Sequence, residues 1–296
     1  MLLRPPLLPQ QQPRQENNRS AALPRMKAWV VALLLVWCCA TPAQAQPLPR
    51  PDHIVIVVEE NRHFTQIIGN PDAPFVNSLA RQGVLFTQSF GVTHPSQPNY
   101  LALFSGSTHG ITSNACPLEL GGDNLASTLL AKGLSFASYS ESMPGAGFEG
   151  CAYGAYQRKH NPAANWKGLA TLNLPFSAFP KDYSHLPTVA LVIPDQLNDM
   201  HDGSITRGDA WLAEKIGPYA KWAMTHNSLL IVTWDEDDGS GDNRVATLLL
   251  GPMVSLGSSI QRINHYSILR TIEEMYGLPY LGESKHAQPV SGIWRQ

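Results

Sequence analysis

The stretch HIVIVVEEN, residues 53–61, constrains this chain more than any other. From Ile54 to Val58 every residue is apolar and β-branched, so a strand built from them has no polar face to offer water. Such a strand belongs inside a parallel sheet, with helices covering both sides. The run stops at Glu59, Glu60 and Asn61, and in open α/β sheets the carboxyl ends of strands form the ligand crevice.

SLLIVTWDE at 228–236 repeats the pattern, ending in Asp235 and Glu236, and TVALVIPD at 188–195 ends in Asp195, with Asp199, His201 and Asp202 close behind. VLFTQSFGV (84–92), LSFASYSES (134–142) and RVATLLLGP (244–252) read as further strands. Between them PFVNSLARQG (74–83), YLALF, NLASTLLAKG (124–133) and HYSILRTIEEMYGLP (265–279) read as helices closed by glycine, and ITRGDAWLAEKIGPYAKWAMTHN (205–227) as an amphipathic helix split at Gly217-Pro218. This alternation predicts an α/β sandwich with a mostly parallel central sheet. Residues 143–187, rich in Gly, Pro, Asn and aromatics and without periodicity, read as a long loop-rich insertion or lid.

MKAWVVALLLVWCCATPAQAQ, from Met26, has the cation, short apolar run and Ala43-Gln44-Ala45 ending of a cleaved signal peptide. Residues 1–45 are therefore read as leader, with Met26 the better start, and 46–296 as one domain. The apolar run is too short to span a bilayer, and Trp37 before Cys38 argues against a lipoprotein anchor. The expected location is secreted or periplasmic, with no integral membrane span after cleavage. Cys116 and Cys151 are the thiols left in the mature chain; an oxidising compartment favours a disulfide between them, with two free thiols as the alternative. A formal net charge of −2 with 15% charged residues leaves no basic field for nucleic acid.

Acids gathered from three strand ends repel one another unless a cation offsets them, so a divalent metal is expected. Oxygen donors favour Mg, Ca or Mn, while the histidines admit Zn or Fe. Asp237, Asp238 and Asp242 in DEDDGSGD read as a solvated turn, since an EF-hand would need a closing Glu and flanking helices. Ser96, ahead of Gln97-Pro98, suits both the cap of the YLALF helix and a nucleophile at its positive end.

SQPNYLALFSGSTHGITSN resembles the nucleophile segment of the alkaline phosphatase-like superfamily. With EEN, QRKHNP, NDMHDG, VTWDEDDG and NHYSILRTIEEMYGLP it is similar to the bacterial phosphoesterase family of secreted acid phosphatases and phospholipases C, from about residue 53 to the C-terminus. The resemblance implies a three-layer sandwich, Ser96 as nucleophile with Thr93 as the fallback, and Asn114 steadying the phosphoryl oxygens. It places Glu60, Asn61, Asp235 and Glu236 at a metal. Asp195, Asp199 and His286 fall on a second-metal set, although Asp199 stands where relatives carry His.

His94, His160 and His201 are read as catalytic donors around the phosphate, Lys159 and Arg158 as phosphate contacts, and His265 as a supporting residue. The expected activity is metal-assisted hydrolysis of phosphate monoesters, small molecules or lipid head groups, phosphoinositides included. The rivals are a phospholipase C or other phosphodiesterase, and a non-catalytic exported metal-binding protein.

Overall fold

Ile54 to Val58 are each at most 1% exposed, and they divide between two cores: Ile54, Ile56 and Val58 pack on one face of the sheet, Val55 and Val57 on the other. In the computed structural model, which describes residues 47–295, they form a central strand. The signal-peptide reading of Met26 to Ala45 lies outside the described residues.

In chain order the elements are β1 (His53–Glu59), α1 (Phe64–Ile67), α2 (Pro74–Gln82), β2 (Val84–Phe90), α3 (Ser96–Ser105), α4 (Leu125–Ala131), β3 (Phe136–Ser140), β4 (Ala152–Tyr153) and β5 (Tyr156–Gln157). They continue with β6 (Asn173–Pro175), β7 (Val189–Ile193), α5 (Ile205–Trp211), α6 (Gly217–Ala223), β8 (Ser228–Trp234), β9 (Arg244–Leu250), β10 (Gly257–Ser259), β11 (Ile263–Asn264) and α7 (His265–Tyr276). The main sheet runs β10-β2-β9-β8-β1-β7-β3-β6, with β11 beside β2. All its pairings are parallel except those β9 makes with β2 and β8. Helices α3, α4 and α7 supply one core and α1, α2, α5 and α6 the other, which gives three layers around a mostly parallel sheet.

Two expectations change. Gly217-Pro218 does not split its helix: a π-turn over Leu212–Ile216 carries the chain from α5 into α6, with Pro218 in the first turn of α6. One wide turn accommodates a residue with no N–H to give. The loop-rich segment 143–187 also holds a strand, because β6 extends the sheet edge, and polar bonds tie down part of the remainder. Buried Arg158 donates from Nε to Asn165 Oδ1 at 3.0 Å and from Nη2 to the carbonyls of Leu118 and Ala164, both at 2.8 Å; its Nη1 also reaches the Glu149 carbonyl. That commitment removes Arg158 as a phosphate contact. Asn161 joins Asn173 (2.7 Å), Tyr156 (3.2 Å) and Ser138 (3.2 Å), and a Cys116–Cys151 disulfide, Cα atoms 5.8 Å apart, binds the segment to the loop after α3. No helix among the described residues is long and apolar enough to cross a membrane.

Candidate active site

Strands β8, β1 and β7 are adjacent and parallel, so the segments leaving them emerge together at one sheet edge. The backbone holds these exits in register beyond the strands: Asp235 N–H donates to the Glu59 carbonyl at 3.0 Å and Glu60 N–H to the Asp199 carbonyl at 2.8 Å. Asn61 turns the chain with φ 50°, a left-handed conformation that Asn tolerates better than most residues.

Helix α3 delivers the serine. Every one of its residues is buried, so no polar face exists to expose and the helix, start included, lies inside the protein. It ends at Gly106 (φ 69°), where a Cβ would stand 2.0 Å from the Leu281 carbonyl oxygen, so only glycine fits. Ser96 is the first helical residue, not the cap: Pro95 precedes it, and no side-chain cap bond forms there. The Ser96 hydroxyl is instead aimed at two carboxylates, Glu60 Oε2 and Glu236 Oε1, each at 3.0 Å. A charged acceptor outcompetes a peptide N–H in its pull on a hydroxyl. Asn114 takes over at the helix start, its Oδ1 accepting the Gln97 N–H at 3.0 Å.

Around Ser96 the oxygens converge. The Asn61 side-chain amide lies 3.2 Å from both Glu236 Oε1 and Glu60 Oε2. Asp235 Oδ1 accepts the Asn61 N–H at 3.2 Å, while its buried Oδ2 has no partner. Burial pushes the carboxyl groups of Glu60, Asp235 and Glu236 above the usual carboxylate range, and their mutual repulsion raises Asp235 further. A divalent cation would relieve both effects. Glu60, Asn61, Ser96, Asp235 and Glu236 therefore fit a hard-metal donor set.

Beneath Glu60 lies a second group. Glu60, His160 and Asp199 form a buried cluster whose ligand-capable atoms lie within 4.8 Å of one another, compatible with a metal ion. His160 Nε2 is 3.2 Å from Glu60 Oε1 and Nδ1 is 3.4 Å from Asp199 Oδ2, both out of line for hydrogen bonds. Burial depresses the imidazole to about 4 and lifts the Asp199 carboxyl to about 8. The expected Asp195, Asp199 and His286 set does not assemble. Asp195 accepts from Ser142 Oγ at 2.6 Å and from Leu197 N–H at 3.1 Å, because its loop closes on itself. His286 is exposed in a 3-10 turn after α7. His160 is thus a buried partner of Glu60 rather than an accessible phosphate donor.

The other predicted residues divide. His94 Nδ1 lies 2.7 Å from Glu236 Oε2 and its Nε2 3.4 Å from Asp237 Oδ1, with its side chain 44% exposed toward solvent. His201 pairs through Nδ1 with Asp202 Oδ1 at 2.7 Å, and its Nε2 is 3.4 Å from Lys159 Nζ. The Lys159 charge favours ionised Glu60, Asp199 and Glu236. His265 donates from Nε2 to the Asp235 carbonyl at 2.6 Å, beneath the acids. Thr93 donates its hydroxyl to the His94 carbonyl at 3.2 Å and does not reach the carboxylates. Of the three turn acids, Asp237 is buried, against expectation, and organises the loop by accepting the N–H groups of Gly239 (2.8 Å) and Asn243 (2.9 Å). Asp238 and Asp242 are exposed as expected.

Two contributors were not singled out in the sequence. Tyr100 donates its hydroxyl to Glu60 Oε1 and stacks on His160, centroids 5.3 Å apart. Asn99 Oδ1 accepts the N–H groups of Val92 (2.8 Å) and Thr93 (3.1 Å), while its Nδ2 donates to the Thr93 carbonyl at 2.8 Å. Both stand in the PNY of the serine motif, so their signal was adjacency to Ser96 at helical spacing.

Residues 70–279 match the Phosphoesterase family. The chain belongs to this family. It is 50% identical over 270 residues to the phosphatidylinositol-3-phosphatase of Mycobacterium tuberculosis, covering 89% of this chain and 90% of that protein. It is 33% identical over 227 residues to a phosphate-repressible acid phosphatase of Penicillium chrysogenum, covering 70% of this chain and 55% of that one, so it spans about half the length of this fungal relative. Among solved structures, an alkaline phosphatase superfamily protein from Vibrio parahaemolyticus superimposes with a TM-score of 0.57 at 12% identity, over 82% of this chain and 71% of that one. The likeness shows the alkaline phosphatase-like fold.

Proposed function

We propose that this phosphoesterase is an exported, metal-assisted phosphomonoesterase with Ser96 as its nucleophile. The observation that carries the reading is the Ser96 hydroxyl, buried at the start of α3 and 3.0 Å from carboxylates supplied by two different strand ends. Half of the 270 aligned residues are identical to those of a phosphatidylinositol-3-phosphatase along nearly its whole length, which supports phosphate monoesters, and phosphoinositide head groups among them, as substrates. The leader from Met26 and the disulfide support export.

Glu60, Asn61, Ser96, Asp235 and Glu236 would hold the metal, which supplies Lewis-acid charge beside the transferring phosphoryl group. Glu236 and Glu60 hold the Ser96 hydroxyl as acceptors, so Oγ is directed and its proton has somewhere to go as Oγ attacks phosphorus. The N-terminus of α3 and the exposed Asn114 amide receive the phosphoryl oxygens. His201, its Nδ1 donating to Asp202 and its Nε2 accepting from Lys159 at 3.4 Å, orients the Lys159 ammonium, which gives a proton to the departing alcohol oxygen. Water then cleaves the phosphoseryl ester and releases phosphate. His94 steadies Glu236 from the open side.

The test is a hydrolysis panel on the mature protein: p-nitrophenyl phosphate, bis-p-nitrophenyl phosphate and phosphoinositide vesicles, before and after chelation and metal return. The account expects monoester turnover that chelator abolishes and a divalent ion restores. Turnover of the diester alone, or none under any metal, would overturn it.

A further inference from the structure

The outer edge of the sheet beyond β2 carries a surface that the reaction leaves unused. β10 is the last strand on this side and pairs only with β2, Gly257 opposite Val84 and Ser259 opposite Phe86. Its three residues, Gly-Ser-Ser, are small, and the residues flanking them are Leu256, 61% exposed, and Ile260, 84% exposed. Two large aliphatic side chains thus stand in water on either side of one short strand, at a cost that a covering partner would recover. Beside Leu256 a groove of about 610 Å³ is lined by Ile68, Ala80 and Leu85, with Arg81 of α2 at its wall.

The charge around this edge has one sign. Residues 74–90, 251–264 and 287–295 build it, the last of them through the Ser255 N–H to the Ile293 carbonyl (2.7 Å) and the Arg295 N–H to the Met253 carbonyl (2.8 Å). Together they contain Arg81, Arg262 and Arg295 and no Asp or Glu, in a chain whose formal net charge is −2. All three arginines are exposed, and none is in a salt bridge among the described residues. Arg262 lies over the Phe90 ring, 3.8 Å from its centroid, which fixes its guanidinium two residues from Ile260. Asp72, the acid closest in sequence, precedes α2 at the end away from Arg81.

Protruding aliphatic side chains among unpaired arginines match an interface that is apolar within and anionic at its surface. We infer that this edge docks on an anionic lipid bilayer, with Leu256 and Ile260 entering the head-group region and Arg81, Arg262 and Arg295 meeting the lipid phosphates. A second copy of the chain fits less well, because a two-fold contact through β10 would set these arginines against their own symmetry mates with no acid between them. The placement also suits a surface-bound protein. β10, β2, β8 and β1 all point the same way, so Ile260 leaves the sheet at the edge where Glu60 and Asp235 emerge. Three strand spacings, about 14 Å, separate β10 from β8.

The experiment is flotation of the mature protein with vesicles of phosphatidylcholine alone and of phosphatidylcholine mixed with phosphatidylglycerol, neither containing a phosphoinositide. The protein should float with the mixed vesicles at about 0.1 M salt, weaken severalfold near 1 M, and stay behind with phosphatidylcholine alone. Replacing Leu256 and Ile260 together with asparagine should lower the partition coefficient by more than about tenfold, and Arg262→Gln by about fivefold. Leu130→Asn, at an exposed leucine on α4, should leave binding unchanged, and urea midpoints confirm that each variant is folded. No flotation of the unmodified protein, or an equal loss in Leu130→Asn, would overturn the docking surface. So would sedimentation showing a dimer that the Leu256 and Ile260 double variant abolishes. None of these readouts requires turnover, so their outcome is independent of the phosphomonoesterase reading.

Discussion

His265 ties the stability of the acid cluster to pH. Its Nε2–H is spent on the Asp235 carbonyl at 2.6 Å, and its Nδ1 is buried without a partner, so the folded protein accepts only the neutral ring. It is also the first residue of α7, whose positive end opposes a second positive charge. Burial accordingly lowers the imidazole from an ordinary value near 6.5 to about 4. A depressed folded pKa gives stability that is complete above about 6.5 and is lost as pH falls toward about 4. Linkage puts the loss between pH 7 and pH 5 at about 2 kcal/mol, approaching 3 kcal/mol near pH 4. His265→Gln keeps one N–H for the same carbonyl and cannot titrate in this window. Urea unfolding of both proteins at pH 7 and pH 5, with the same saturating metal, isolates the effect, because every other titrating group cancels in the difference of slopes. The unmodified protein should lose about 2 kcal/mol more than the variant over that interval. Parallel pH slopes would refute the neutral, buried His265.

Two further perturbations follow from named contacts. Replacing Cys116 and Cys151 with serine frees a loop of 35 residues in the unfolded chain and should cost about 4 kcal/mol in oxidising buffer, read as a lowered urea midpoint; an unchanged midpoint would exclude the bond from the stable fold. Asn99→Ala strands the Val92 and Thr93 N–H groups that position the loop before Ser96, with an expected cost of about 1–3 kcal/mol and a fall in kcat larger than any rise in KM; a change in KM alone would contradict its positioning role.

The sheet was legible because its central strands have no polar face. Ile54–Val58 and Leu229–Val232 could be nowhere but between helix layers, and the acids that end them were carried to one edge by strand adjacency alone. The site was less legible where side chains choose among equal partners. Ser96 has the residue type of a cap, and only the folded positions of Glu60 and Glu236 decide that its hydroxyl turns to them. His160 sits in a stretch with no periodicity, fixed by Arg158 and Asn161 through backbone carbonyls and amides that leave no hydrophobic pattern. Strands β10 and β11 are two or three residues long and paired only to β2, too short for alternation to register. The pairing of Asp199 with His160 in place of Asp195 depends on how the loop after β7 closes, which spacing does not encode.

The central claim is that Ser96 carries the phosphoryl group, and the most direct measurement is acid quenching of the metal-loaded protein during turnover of a ³²P-labelled monoester, followed by peptide mapping. The account predicts label on the peptide containing Ser96, stable to acid as a phosphoserine, and none in Ser96→Ala protein that retains its metal. Label on Thr93, or full turnover by Ser96→Ala, would contradict it.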